Sequence, residues 1–112
     1  MIVVSHPLPD PLVELIAQRF RVLSEPTRIK LLDLLRDGPA NVQQLTAASG
    51  SSQQNVSKHL GLLHQAGIVS RKKRGTSVVY AIADDSVFEL CEHVCGGLRR
   101  QLAELGVVLA GS

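Results

Sequence analysis

Apolar side chains recur at helical spacing in the first third of the chain. From about Asp10 to Leu23 they share one face, which predicts an amphipathic helix with Pro11 in its first turn. A second helix is predicted from about Pro26 to Arg36, with Ser24 as its cap and Asp37-Gly38-Pro39 as its stop. The helix contains five large apolar residues, so we expect it to lie at the centre of the core; they are Ile29, Leu31, Leu32, Leu34 and Leu35.

Two further helices are predicted to follow closely. Val42 to Ala48 form the first, because Asn41 and Gln44 have the spacing of a capping box. Ser51-Ser52 then caps a longer helix from about Gln53 to Ala66.

The longer helix has two different faces. Its inner side carries Val56, Leu60 and Leu63, and it includes His59, for which a structural role is expected. The outer side is polar and almost uncharged, and it consists of Gln53, Gln54, Ser57, Lys58, Gly61, His64 and Gln65. Amide and hydroxyl groups of this kind pair with base edges, and a glycine permits close approach. His64 fits either a phosphate contact or simple exposure to solvent.

After this helix the chain changes to strand-like alternation. Ile68 to Arg74 and Thr76 to Ala83 are predicted to form a β-hairpin with the basic run Arg71-Lys72-Lys73-Arg74 at its tip. A last helix begins near Asp84 or Asp85 and continues to about Leu105 or beyond. Its apolar stripe consists of Val87, Leu90, Cys91, Val94, Leu98, Leu102, Leu105 and Leu109. A lone hairpin cannot cover so long a stripe, so a partner helix is expected.

The distribution of charge adds a functional signal. The 112 residues are 45% hydrophobic and 20% charged, which predicts one soluble globular domain over residues 1–112. The net charge is only +2, yet residues 38–83 contain no Asp or Glu and carry five basic side chains. Such a stretch is typical of a nucleic-acid contact surface, a chance gap in acidic residues being the alternative. No membrane span or secretory signal is visible, so we expect a cytoplasmic protein.

Together these elements predict a mainly α-helical protein with a small β-hairpin, arranged as a winged helix-turn-helix. The longer helix would lie in the major groove of double-stranded DNA, and the hairpin would contact phosphates. The predicted DNA contacts are Ser52, Gln53, Gln54, Ser57, Lys58, Gly61, His64, Arg71, Lys72, Lys73 and Arg74.

Several short stretches stand in a specific order. They are Ser24-Glu25-Pro26-Thr27-Arg28 followed by Ile29-Lys30-Leu31-Leu32-Asp33-Leu34-Leu35, then Gln53-Gln54-Asn55-Val56-Ser57-Lys58-His59-Leu60 leading to Leu63, and Ala66-Gly67-Ile68-Val69. In this order and spacing they resemble the ArsR/SmtB family of bacterial repressors, over roughly Phe20 to Ile82. Each stretch alone is a weak signal, whereas the combination is specific.

The resemblance implies a homodimer built by the first and last helices. It also implies operator binding without ligand, and release when a metal ion or another effector binds. The expected dimer interface consists of Leu12, Leu15, Ile16, Val87, Leu90, Cys91, Val94, Leu98 and Leu102.

The family's two familiar metal sites are absent or degraded in this chain. Its thiolate motif would fall on Asn41, Gln43 and Thr46, none of which is a soft-metal ligand. The family's site on the last helix begins with an acidic residue, and Asp84 matches that first position. The three remaining places are occupied by Ser86, Gly97 and Arg100.

Cys91 and Cys95 leave two interpretations open. As neighbours one helical turn apart they could bind a soft metal ion or arsenite, or act as a redox sensor. Both also lie on the apolar stripe, where cysteine packs as a small hydrophobe. His93 lies on the opposite side of the helix, so it does not complete a cluster. His6 could complete a site across a dimer or have no role.

Two other classes of function compete with an effector-released repressor. An enzyme is not expected, because Asp84 and Asp85 are explained as helix caps, the cysteines are explained by packing, and no glycine-rich phosphate loop is present. A winged-helix regulator without its own metal sensor is the stronger alternative. Thiol redox chemistry or a regulatory partner protein would then control it.

Overall fold

A computed structural model describes residues 6–106 of the protein. In chain order its elements are α1 (Asp10–Leu23), α2 (Pro26–Leu35), β1 (Ala40–Asn41), α3 (Val42–Ser49), α4 (Gln53–Gln65), β2 (Val69–Arg74), β3 (Ser77–Ile82) and α5 (Ser86–Glu104). All five predicted helices and both predicted strands are present, and their bounds lie within two residues of the predicted ones. Among residues 6–106 no helix is long and apolar enough to cross a membrane.

The sheet has one strand more than the predicted hairpin. β2 and β3 pair in antiparallel register from Val69 opposite Ile82 to Arg74 opposite Ser77. β1 pairs with the other edge of β3, which gives the strand order β1-β3-β2. A strand of two residues is too short to produce an alternating pattern, so the sequence carried no sign of it.

The core lies where α2, α3 and α4 pack together against the sheet. Its buried side chains are Leu23, Leu31, Leu32, Leu35, Leu45, Val56, Leu60, Leu63, Ile68, Val69, Tyr80 and Val87. The central position predicted for α2 is confirmed by Leu31, Leu32 and Leu35. Ile29 of the same helix is 45% exposed and lines a groove together with Phe88 and Cys91 of α5.

Side-chain caps fix where the short helices begin. The capping box before α3 is confirmed: the backbone N–H of Gln44 donates to Asn41 Oδ1 at 2.8 Å, and the N–H of Asn41 donates to Gln44 Oε1 at 2.9 Å. Ser24 was the wrong cap for α2. Glu25 takes that position and accepts from the N–H of Arg28, while the Ser24 hydroxyl donates back to the carbonyl of Arg21 at 2.7 Å.

The first and last helices leave apolar side chains uncovered. Leu15 on α1 is 60% exposed and Leu98 on α5 is 50% exposed. The remaining residues of the expected dimer interface are half-buried or exposed, except Val87. Val87 is buried in the core of its own chain, so it has little surface left for a partner and is removed from that interface. Leu109 lies outside the described residues.

Candidate nucleic-acid interface

α4 is held by its inner face and leaves its outer face free. Val56, Leu60 and Leu63 are fully buried. The outer residues Gln53, Gln54, Ser57, Lys58, Gly61, His64 and Gln65 are all exposed. The helix therefore presents amide, hydroxyl and amine groups along one side, which is the chemistry that reads base edges in a major groove.

The start of α4 is fixed by two serines. The Ser52 hydroxyl accepts from the backbone N–H of Asn55 at 3.1 Å, as predicted for a cap. The side-chain amide of Asn55 donates to the Ser51 hydroxyl at 2.7 Å. Gly50 enables the preceding turn, since its φ of +73° is strained for other residues. These contacts fix the position at which α4 begins, directly before Gln53.

Gly61 lies on the exposed side of α4. A Cβ added there would meet no atom of the described chain within 4 Å. Packing inside the chain therefore does not require a glycine at this position. A close approach by an external molecule would require one.

The four basic residues 71–74 are the last four residues of β2 and lead directly into the turn at the hairpin tip, where the sequence predicted them. They pair with residues 77–80 of β3, and Gly75-Thr76 form the turn. Successive residues of a strand point to opposite faces, so Arg71 and Lys73 share one side while Lys72 and Arg74 share the other.

The basic side chains of α4 and β2 are available to a ligand. Lys58 and residues 71–74 are all exposed. Within residues 6–106, the carboxylates that lie within 4 Å of a basic side chain are Asp84 beside Arg19, Glu92 beside Arg36 and Glu25 beside His59, so none contacts these cations. Their positive charge is therefore not neutralised by neighbouring carboxylates.

Beneath α4 lies a polar cluster of three residues whose joint role the sequence did not reveal. His59 is only 6% exposed, and its Nδ1 lies 2.9 Å from Nη1 of Arg28. Its Nε2 lies 3.6 Å from Oε2 of Glu25. The structural role expected for His59 agrees with this burial. Arg28 and Glu25 belong to a stretch that carried the family resemblance, which was the only available signal.

Cys91 and Cys95 line a groove between α2 and α5. Both thiols are free and half-buried. The groove has a volume of about 470 Å³, and its walls include Arg36 and Arg99. Arg36 also stacks on the Phe88 ring, with its guanidinium carbon 4.5 Å from the ring centroid. The thiols thus border both the apolar stripe and a polar groove.

The described residues do not assemble a metal site. Across residues 6–106 no group of three or more His, Cys, Asp or Glu side chains has the geometry to hold a metal ion. His6 accordingly does not join Cys91 and Cys95 in a site within one chain. Asp84, the one match to the family's last-helix site, is used locally, because its Oδ1 accepts from the backbone N–H of Ser86 at 3.1 Å.

Comparison with known proteins identifies the family. The family model described as bacterial regulatory protein, arsR family, matches residues 25–71. Over 101 residues the chain is 34% identical to Rv0081 of Mycobacterium tuberculosis, named as an uncharacterized HTH-type transcriptional regulator. That alignment covers 89% of each protein. The chain belongs to the ArsR family. The resemblance seen in the sequence is thereby confirmed, and the protein is a transcriptional regulator.

Two solved structures have the same fold as this chain. The crystal structure of Rv0081 matches with a TM-score of 0.77 and 32% identity, over 88% of this chain and all of that one. The homodimeric winged helix-turn-helix DNA-binding domain of Mb0332 from Mycobacterium bovis matches with a TM-score of 0.73 and 27% identity. That match covers 91% of this chain and 94% of the other. The predicted winged helix-turn-helix fold is confirmed.

A further relative carries a metal in its name. The chain is 36% identical over 74 residues to a probable mercury resistance operon repressor of Streptomyces lividans. This alignment covers 66% of the chain and 59% of the relative.

Proposed function

We propose that this ArsR-family protein is a repressor that binds operator DNA as a homodimer, with residues 1–112 forming one winged-helix unit that acts in the cytoplasm. One observation carries the proposal: α4 exposes a polar, nearly uncharged face beside unpaired cations. In this arrangement, α4 reads bases in the major groove and the cations of β2 contact phosphates. No catalytic role is proposed.

The residues assigned to DNA contact divide by chemistry. Gln53, Gln54 and Ser57 face outward near the start of α4, and a glutamine can form paired hydrogen bonds with adenine. Lys58, His64 and the four cations of β2 contribute charge to backbone binding. Ser52 already uses its hydroxyl oxygen as the helix cap, so its remaining donor hydrogen suits a phosphate better than a base.

The homodimer would use the uncovered faces of α1 and α5. Leu12, Leu15 and Ile16 on α1 would pack with the exposed side of α5. The contributing residues of α5 are Leu90, Cys91, Val94, Leu98 and Leu102. Exposed apolar surface of this extent is typical of an interaction face. The homodimeric structure of the Mycobacterium bovis relative supports the same assembly here.

Release from the operator would follow the binding of an effector. A transition-metal ion is one candidate, supported by the relative named for mercury resistance. The donor set of a single chain does not fit a metal, because the two thiols find no third ligand within residues 6–106. A metal would therefore need ligands from both protomers, for example His6 of one with the cysteines of the other.

The groove beside Cys91 and Cys95 favours a second candidate. In this alternative the thiols respond to an oxidant or a thiophilic compound that enters between α2 and α5, and no resident metal is needed. The names of the relatives given above include no protein partner, so control by a partner protein gains no support from them.

Selection of duplexes from a random library by the purified protein tests the proposal. The selected sites should share a palindromic sequence, and Gln54→Ala should then relax the preference at one base position by about 1–3 kcal/mol. Ser70→Ala, a variant of a half-buried residue on β2, serves as a control that should leave every preference unchanged. The absence of any enriched sequence, or an equal loss of affinity for all sequences with Gln54→Ala, would contradict the proposal.

A further inference from the structure

Arg28 connects three helices at one point. It is the third residue of α2, and its side chain extends back toward the end of α1. There its Nε donates to the carbonyl of Val22, and its Nη2 donates to the carbonyl of Arg21 at 3.3 Å. The last carbonyls of a helix have no partner within the helix, so a cation at this position fixes the end of α1.

The same guanidinium holds α4 from below. Its Nη1 lies 2.9 Å from Nδ1 of His59, which points inward from α4. Arginine only donates, so Nδ1 must accept and the ring carries its proton on Nε2. That Nε2–H faces the Glu25 carboxylate at 3.6 Å. Glu25 in turn accepts from the backbone N–H of Arg28 at 3.2 Å, which closes the cluster.

This contact joins two elements with different roles in the proposed dimer. α1 belongs to the dimer interface, and α4 is the helix that enters the major groove. Arg28 is a rigid planar fork with several donors, so it holds the two helices at one relative orientation. Burial of His59 protects the contact from competition by water.

We propose that Arg28, acting through His59, sets the angle between the dimer interface and α4 and so fixes the half-site spacing that the dimer accepts. The inference rests on the proposed operator-binding homodimer. Arg28 and His59 are positioning residues, because they contact each other beneath α4, on the side away from its exposed face. Their loss should change the preference for spacing more than the recognition of a single half-site.

The test uses operators selected by the wild-type protein, together with versions that carry one base pair more or fewer between the half-sites. Each added base pair moves and rotates the second half-site around the helix axis. The wild type should lose about tenfold or more in affinity on the altered operators. Arg28→Gln should reduce that ratio to about threefold or less, with half-site affinity within about twofold of wild type.

Three variants keep the result interpretable. Arg21→Gln removes the same charge from an exposed side chain and leaves the Arg21 carbonyl in place, so it should retain the wild-type spacing ratio. His59→Asn keeps an acceptor near the position of Nδ1 and should also retain it. His59→Leu removes the acceptor and should behave like Arg28→Gln. Thermal unfolding and sedimentation confirm that each variant is a folded dimer.

The possible outcomes separate the two proposals. A wild type that binds no duplex specifically would overturn the proposed function itself. A wild-type spacing ratio in Arg28→Gln or His59→Leu would overturn this inference and leave operator binding intact. Equal losses on half-sites and full operators would also overturn it, because they indicate general damage to α4. Should Arg28→Gln not fold, the comparison of His59→Asn with His59→Leu decides the question.

Discussion

Arg19 and Asp84 connect the first helix to the start of the last one, with Nη1 of Arg19 lying 3.4 Å from Oδ2 of Asp84. The other carboxylate oxygen accepts from the hydroxyl and the backbone N–H of Ser86. The hydroxyl hydrogen bond, followed by the backbone hydrogen bond and the Arg19 charge, lowers the pKa of Asp84 against the opposing effect of partial burial. The ionised carboxylate therefore holds α5 at its first turn.

The first prediction concerns the pH dependence of stability. A depressed pKa in the folded state means that the contribution of Asp84 is fully present above the ordinary value of 3.8 and is lost as the pH falls through the folded-state pKa. Asp84→Ala should cost about 0.5–1 kcal/mol at neutral pH, since the pair is partly screened by solvent. Urea unfolding at neutral pH and in strong acid measures this difference.

Asp85→Ala is the matched control for that experiment. Asp85 is exposed and its side chain makes no capping hydrogen bond, although it stands at the N-cap position of α5. Its replacement should change stability less than the replacement of Asp84. A difference between wild type and Asp84→Ala that stays the same in acid would contradict the role of the carboxylate.

The second prediction separates the two faces of β2. A variant with Arg71→Ala and Lys73→Ala loses the same charge as one with Lys72→Ala and Arg74→Ala, but from the opposite side of the strand. Both should weaken specific and random DNA alike. The pair that faces the phosphates should reduce the salt slope by about 0.9 for each phosphate that is no longer neutralised, and the other pair should reduce it less. The slopes are measured by DNA titrations at several salt concentrations. Equal slopes for the two double variants would contradict direct phosphate binding by one face of β2.

The third prediction uses the open space above Gly61. Because an added Cβ would meet nothing in the described chain, Gly61→Ala should stabilise the protein by about 0.8–1 kcal/mol through helix propensity. The same methyl group should weaken operator binding if DNA approaches the helix closely. Gly96→Ala on α5 also meets nothing within 4 Å and should stabilise without affecting affinity. Unchanged affinity in Gly61→Ala would remove Gly61 from the interface.

The fourth prediction concerns Cys91 and Cys95. If the two thiols mainly pack, a variant with both changed to Ser should still bind the operator, with a somewhat less stable dimer. Any response to zinc or nickel should then persist or depend on other residues. Release from operator DNA by zinc, nickel, arsenite and a mild oxidant is compared for wild type and variant. A response to arsenite or oxidant that only the wild type shows would identify the thiols as the sensor.

Local chemistry explains which features the sequence could predict. Helical periodicity located α4 and its outer face, and the capping box of Asn41 and Gln44 located α3. The Glu25 cap was missed because a serine next to it is the better capping residue by type, and only the backbone geometry decides between them. β1 was too short to produce a pattern.

Long-range contacts were beyond the reach of periodicity. The contact between Arg28 and His59 joins residues 31 positions apart in the chain, and no local spacing predicts it. The burial of Val87 depends likewise on how α5 packs on the rest of the chain, and the groove beside Cys95 is lined by residues of both α2 and α5. The apolar stripe on α5 does not show which of its residues pack in the chain's own core and which face a partner.

Footprinting of the wild-type protein on a selected operator, combined with the mass of the complex in solution, tests the central claim most directly. The account predicts one dimer per operator, protecting two related half-sites about 34 Å apart on one face of the duplex. A monomer bound to a single unpaired half-site, or protection without any sequence preference, would contradict it.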